Sequence, residues 1–498
     1  MAQTAFAVLP PIITIVLALL TKEVYMSLII GIMTGAFLFT GGAPLDAVIT
    51  MFAVMEKKVG GNVNILVFLV ILGILVAAIT RSGATRAYGE WASRSVKGEK
   101  GALLVTALLG LVIFIDDYFN CLTVGTVMRP VTDRFKIARA KLAYVIDSTA
   151  APICIIAPVS SWAAAVGSSL PEGSDLDGFS LFLQTIPINL YALLTLMFMF
   201  FIVLTGADFG KMAKTVEEAR ENFTVPEEYR DTEIAADSGE GKGGIIDLVA
   251  PLSVLIAACV YGMLYTGGIN EGKSIADAFA DCDASKSLAV GSFIAFVFTG
   301  LLYLPRRILS FNAFCDSFSR GFKAMTPAIF ILCLAWTLSG VLSDDYMNLG
   351  GFVGNVVSAN TGVITALPPI FFIVAVLLAF ATGTSWGTFG ILIPIAVAVL
   401  AGVNDTSMLV ISIAAILSGA VAGDHASPIS DTTILASAGA KCHHLDHVET
   451  QLPYVILVST ASFFGYVADG FTGNGFVGLA VGAAILATAM GFLYVKKR

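Results

Sequence analysis

Carboxylates, hydroxyls and a proline stand inside two apolar stretches of this 498-residue chain. The first reads Asp147-Ser148-Thr149-Ala150-Ala151-Pro152, and the second reads Asp424-His425-Ala426-Ser427-Pro428, with Asp431, Thr432 and Thr433 just beyond. In lipid such groups are expensive, so they are expected only where they line a cavity or an ion path. Hard oxygen donors, joined by carbonyls freed where a helix unwinds, suit Na+. A carboxylate that holds a proton until a cation displaces it would couple the movement of the two species. Two more apolar regions, 101–128 and 363–400, have polar centres at Asp116-Asp117-Tyr118-Phe119-Asn120 and Thr382-Gly383-Thr384-Ser385-Trp386.

Asp147 and Asp424 are the leading candidates, because both lie within broken spans. Around them the first half offers Asp117, Asn120, Ser148 and Thr149; the second offers Thr382, Thr384, Ser385, Trp386, His425, Ser427, Asp431 and Thr432. Two Na+ ligand sets follow: Asp424 with Ser427 and Thr384, and Asp147 with Thr149 and Asn120. Simpler roles compete for some of these residues. One of Asp116 and Asp117 is expected to cap a half-helix, Asp431 is balanced between a cap and an ion role, and His425 reads first as a hydrogen-bonded structural histidine. Trp162 and Trp386 adjoin the breaks and suit either packing or a cavity wall. No Lys or Arg lies in a predicted span near these acids, and no intramembrane Arg is available to clamp a carboxylate. The acid excess therefore favours a cation or an amine-bearing solute. The run Lys441-Cys442-His443-His444-Leu445-Asp446-His447 has the composition of a metal cluster, but Asp446 followed by Glu449 reads better as a capping box opening the next helix.

These residues need elements to position them, and composition says which. The chain is 57% hydrophobic and 13% charged, with a mean hydropathy of +0.87, whereas soluble domains carry about 25% charged residues. Apolar runs long enough to span a bilayer recur along its length. The expected fold is an all-α polytopic membrane protein with about eleven transmembrane helices and two re-entrant helical hairpins. Met1–Leu20 is read as a first membrane helix and not as a cleaved signal peptide. A net charge of −8 and short basic tracts do not suggest nucleic acid, and seven scattered cysteines imply no disulfide framework. Nothing forms a nucleophile–base pair or a metal-protease helix, so a transporter is favoured over an enzyme, with no cofactor beyond the ions themselves.

Treating regions 101–128 and 363–400 as hairpins places 24 of the 28 Lys and Arg on the side of the C-terminal Lys496-Lys497-Arg498. Making the first of them a crossing strands Arg129, Arg134, Lys136, Arg139 and Lys141 on the opposite side, against the positive-inside rule. The threading yields a first repeat at 1–205 (hairpin 101–128, broken helix 142–166) and a charged cytoplasmic linker at 206–244. An inverted second repeat follows at 245–450 (hairpin 363–400, broken helix 409–434), and C-terminal helices occupy 451–498. The N-terminus is then outside and the C-terminus cytoplasmic. Paired broken helices at corresponding positions point to a site at the midplane between repeats, worked by alternating access.

At three motifs the chain resembles the NhaC-type sodium/proton antiporter family, within the ion transporter superfamily. They are Gly423-Asp424-His425-Ala426-Ser427-Pro428-Ile429-Ser430-Asp431-Thr432-Thr433, Ala381-Thr382-Gly383-Thr384-Ser385-Trp386-Gly387-Thr388 and Asp116-Asp117-Tyr118-Phe119-Asn120. The stretch from Asp446 to Tyr454 is also similar, and the likeness runs from about residue 60 to 455. The resemblance implies a multi-pass transporter of the bacterial inner membrane, surrounded by lipid, that exchanges Na+ for H+ through a two-hairpin architecture. It also implies an alternative: Na+- or H+-coupled exchange of a small organic solute, such as malate for lactate or an amino acid. A homodimer is a further implication of the superfamily.

Overall fold

The computed structural model describes residues 4–21, 23–168, 178–223, 241–275, 278, 282–349, 352, 361–401 and 405–497. The acidic loop residues Glu172, Asp175 and Asp177 and the linker residues 224–240 lie outside them. Every described element is helical. Nine helices are long and apolar enough to cross a membrane among the described residues, or up to ten with the bent pair Val24–Phe39 and Pro44–Gly61, whose axes differ by 116°. The count differs from eleven for physical reasons. Leu9–Thr21 has 13 residues after a short 3-10 turn, while 142–166 is divided among three short helices. Ile364–Thr382, expected as a hairpin arm, is itself long enough for a crossing.

Both expected broken helices are discontinuous. The first runs Arg139–Thr149, Ala151–Cys154 and Ser161–Gly167; the second runs Thr406–Ala426 and then Asp431–Ala440. Both polar-centred regions fold as helix pairs, Glu99–Val112 with Asp117–Arg134 and Thr361–Thr382 with Ser385–Ala401. A further break is unforeseen. The expected span Leu181–Thr205 is divided at Ile186–Ile188, where Pro187 ends one helix and the Asn189 side chain caps Leu190–Thr205 by accepting from Ala192 N–H (3.3 Å). The freed Leu190 N–H donates to Tyr466 Oη (3.1 Å), and Ser418 Oγ donates to Asn189 Oδ1 (2.8 Å), so the break is satisfied internally.

The predicted span from Pro327 is the last half of a longer helix, Phe311–Leu342, capped by Ser310 Oγ, which accepts from Ala313 N–H (3.1 Å). It crosses Val63–Arg81 at two glycines. A Cβ on Gly321 would stand 2.2 Å from Ile74 N, and one on Gly73 would stand 2.5 Å from Gly321 O. Small residues that let backbones meet are the usual means of close packing in membranes. Gly321→Val should therefore force this crossing apart. The expected result is loss of the monodisperse peak in detergent size-exclusion chromatography, with Thr326→Val at an exposed position of the same helix as a control that retains it.

Candidate functional site

Each break ends a helix in the same register. Asp147 stands two residues before Thr149, the last residue of its helix, and Asp424 stands two before Ala426. In both cases the next turn closes on the aspartate carbonyl: Ala150 N–H donates to Asp147 O (3.2 Å) and Ser427 N–H to Asp424 O (3.0 Å). The carboxylates thus lie in last turns, where unpaired carbonyls give a helix its negative end. Both are fully buried.

One hydroxyl joins them. Thr433 Oγ1 donates to Asp147 Oδ2 (3.2 Å) and lies 3.4 Å from Asp424 O. Asp424 Oδ2 accepts from Thr432 Oγ1 (2.5 Å), and Asp147 Oδ2 accepts from Gln451 Nε2 (2.7 Å), which also reaches His425 O (3.0 Å). The second oxygen of each carboxylate, Asp147 Oδ1 and Asp424 Oδ1, finds no hydrogen-bond partner. The same is true of Asp117 Oδ2, Asn120 Oδ1, Gln451 Oε1 and Ser148 Oγ. A buried polar atom left in this way is costly; beside these oxygens the imidazole nitrogens His425 Nε2, His447 Nδ1 and His447 Nε2 are likewise without a hydrogen-bond partner.

The hairpin tips pin this arrangement. Asn120 Nδ2 donates to the carbonyls of Gly110 and Ile113 (both 2.8 Å) and of Thr149 (3.0 Å), binding the first hairpin to the first break. Ser161 N–H donates to Ile115 O (2.9 Å) at the same tip. On the other side, Asp431 N–H donates to Gly383 O (3.1 Å), and Ser427 Oγ donates to Phe380 O (2.8 Å). Gly383 has a φ of +69°, and a Cβ there would lie 2.3 Å from Ile429 O, so the second tip requires glycine. The second tip meets the last helix of the first break through Trp386 and Trp162, whose ring centroids are 5.8 Å apart with Phe389 against both. Both indoles are buried and serve as packing.

Residues 165–471 match the model of a family described as the Na+/H+ antiporter family. The chain belongs to this family. Over its whole length it is 38% identical to an uncharacterized protein of Haemophilus influenzae, of which the match spans 96%. The Malate-2H(+)/Na(+)-lactate antiporter of Bacillus subtilis is 31% identical over 201 residues, 39% of this chain and 40% of that one. The arginine/ornithine antiporter ArcD of Halobacterium salinarum is 31% identical over 177 residues, 35% of each. The YdaH transporter of Alcanivorax borkumensis aligns with a TM-score of 0.54 over 90% of this chain and 89% of its own, at 13% identity, which is a likeness of fold. This antiporter-family chain is accordingly a multi-pass membrane protein and a secondary transporter.

Several expected ligands also make structural bonds, and a hydroxyl that donates one keeps its lone pairs. Asp116 is the capping member of its pair, accepting from Phe119 N–H (2.9 Å) and Ser161 Oγ (3.3 Å), while Asp117 accepts from Tyr118 N–H at Oδ1 (3.2 Å) and keeps Oδ2 open. Thr384 Oγ1 accepts from Gly387 N–H (3.3 Å), Ser385 Oγ donates to Ala420 O (3.1 Å), Thr382 Oγ1 to Leu378 O (2.8 Å) and Thr149 Oγ1 to Val145 O (2.8 Å). Asp431 Oδ2 accepts from Tyr118 Oη (3.2 Å) at an exposed edge. Of the two ligand sets, Asp147, Asp424 and Asn120 Oδ1 retain open oxygens.

Two histidines face Asp147: His447 Nε2 lies 3.4 Å from Oδ2 and His425 Nε2 lies 3.9 Å from Oδ1, while His425 Nδ1 meets Tyr191 Oη at 3.1 Å. His447 and Gln451, neither expected at the site, share one face of His444–Thr472 at a spacing of four. That spacing was the available signal. The capping box at Asp446 is absent. The helix starts at His444, and Asp446 and Glu449 instead hold Lys211, with Lys211 Nζ 3.3 Å from Asp446 Oδ1 and paired with Glu449 Oε2. Among the described residues no three His, Cys, Asp or Glu side chains are grouped to hold a metal ion. Asn120→Asp keeps the size of the side chain and removes its donors. It should lower the thermal unfolding midpoint of the purified protein at least as much as Asn120→Ala does, since either removes the two amide hydrogens that three carbonyls share, at about 1–3 kcal/mol for each hydrogen bond lost.

Proposed function

We propose that this transporter exchanges Na+ for H+, with Asp147 and Asp424 as the groups at which the two ions compete. One observation carries the reading: two buried aspartates, linked by Thr433 from the Asp147 carboxylate to the Asp424 backbone carbonyl, each stand in the last turn of a helix and each keep one carboxylate oxygen without a hydrogen-bond donor. Na+ takes hard oxygens and the negative ends of broken helices, and a proton satisfies the same oxygens in its absence. Thr432, Thr433 and Gln451 orient the carboxylates, and the open Asn120 Oδ1 and Gln451 Oε1 are neutral acceptors that a cation, not an anion, would recruit. Exposing this one site alternately to each face of a bacterial inner membrane completes the exchange. The orientation that agrees with the distribution of Lys and Arg has the C-terminus in the cytoplasm.

The test uses everted membrane vesicles with a preformed pH gradient. Adding Na+ should dissipate the gradient, and Asp147→Asn and Asp424→Asn should each reduce the rate by more than about tenfold, since neutral side chains cannot exchange a proton for a cation. Normal dissipation in both variants would exclude this site. A second reading, coupled exchange of a small organic solute, is favoured by the named activities of the Bacillus subtilis and Halobacterium salinarum relatives. It is distinguished by proteoliposomes in which Na+ alone produces no proton movement until an internal solute is supplied.

A further inference from the structure

A cavity of about 270 Å³ lies between the first hairpin tip and the crossing of Val63–Arg81 with Phe311–Leu342. Its walls are mainly apolar, from Val76, Phe119, Leu122 and Met325, with Gly73 and Gly321 at the point where the two helices touch. Its volume falls just below the ~300–1,000 Å³ of sites for drug-sized ligands, which suits a solute of metabolite size. Packing between the hairpin's second arm and the two crossing helices is sparse, so the cavity occupies a boundary between bodies, a common position for ligand sites.

The charges lining it are unequal. The Asp116 carboxylate is already satisfied by Phe119 N–H and Ser161 Oγ. Arg81 is held by Ala313 O (2.8 Å) and Asp316 Oδ2 (3.4 Å). Arg320 lines the same cavity, is exposed, and makes no hydrogen bond or ion pair among the described residues. An unengaged guanidinium at the mouth of an apolar cavity, with a second one beside it and hydroxyls at Thr80 and Thr123, matches an amphipathic anion: carboxylate outward on Arg320, carbon body inward. The sequence expectation that no arginine could serve a carboxylate arose because both residues fall in predicted intracellular loops. In the fold, Val63–Arg81 carries Arg81 in its last turn and Phe311–Leu342 starts well before its apolar half.

We propose that this cavity is a second ligand site, separate from the Asp147–Asp424 pair, that binds a small organic anion with an apolar body through Arg320. The assignment does not depend on Na+/H+ exchange, and its test is run without any ion gradient. Full-length protein in phosphatidylcholine nanodiscs is dialysed to equilibrium against 14C-labelled hexanoate, with butylammonium and succinate as competitors. Saturable hexanoate binding is expected. Arg320→Gln should raise its Kd by about tenfold or more, Arg320→Lys should recover part of the loss, and Ala77→Phe, which fills the cavity without touching the guanidinium, should block binding. Succinate should compete and butylammonium should not. Absence of saturable binding, indifference to both Arg320→Gln and Ala77→Phe, or competition by butylammonium would overturn the proposal. So would loss of hexanoate binding when phosphatidylglycerol is added to the nanodisc, because the guanidinium would then belong to a lipid headgroup.

Discussion

The fold depends on satisfying backbone groups that broken helices release where lipid supplies no water. The tips and breaks solve this jointly, and they do it with donors. The two amide hydrogens of Asn120 are shared among the carbonyls of Gly110, Ile113 and Thr149, and Ser427 Oγ donates to Phe380 O in the last turn of the facing helix, while the hydroxyls of Ser385, Thr382 and Thr149 donate to carbonyls within helices. The donors are consumed in holding the architecture together. What remains open around Asp147 and Asp424 is one oxygen from each carboxylate, with Asn120 Oδ1 and Gln451 Oε1, and the imidazole nitrogens of His425 and His447 beside them. The proposed cation chemistry rests on these open oxygens, which the bonds that hold the breaks leave uncommitted.

A second network fixes the two helices that converge on Asp147. Lys141, fully buried on the helix that carries Asp147, bonds Asp208 Oδ2 (2.6 Å), and Tyr454 Oη, on the helix that carries Gln451, donates to Asp208 Oδ1 (3.0 Å). The amphipathic helix Gly210–Glu221 follows directly and is tied by Lys211 to Asp446 and Glu449 and by Arg220 to Glu99 (2.9 Å). A buried ion pair contributes little net stability once desolvation is counted, but breaking it is expensive. Its effect is positional: Asp208 sets the spacing between helices whose side chains, Asp147 on one and Gln451 with His447 on the other, must meet within hydrogen-bonding distance.

The sequence made much of this legible, and its failures have a common origin. Asp147 and Asp424 stood out because a carboxylate in an apolar run has few explanations, and the breaks beside them follow from Pro152, Pro428 and the hydroxyls around them. Asp116 was recognisable as a possible cap, although only the fold separates it from Asp117. His447 was hidden because adjacency along the chain favoured its neighbours His443 and His444. His443 is exposed, and His444 bonds Ser437 and Pro428 O, so three consecutive-looking histidines face three environments. Asp446 and Glu449 obeyed a local capping pattern, but the fold supplied Lys211 from a distant helix, and a charge partner outweighs a cap at an exposed helix start. Asn189 was missed because one polar residue in an apolar run resembles an isolated tolerance, and its partner Ser418 lies more than 200 residues away. Arg320 shows the limit most clearly. By hydropathy it belongs to a loop, and by helix geometry it belongs to a 32-residue helix that delivers it to the hairpin tip. Local pattern identifies which groups are out of place; only tertiary packing decides what stands opposite them.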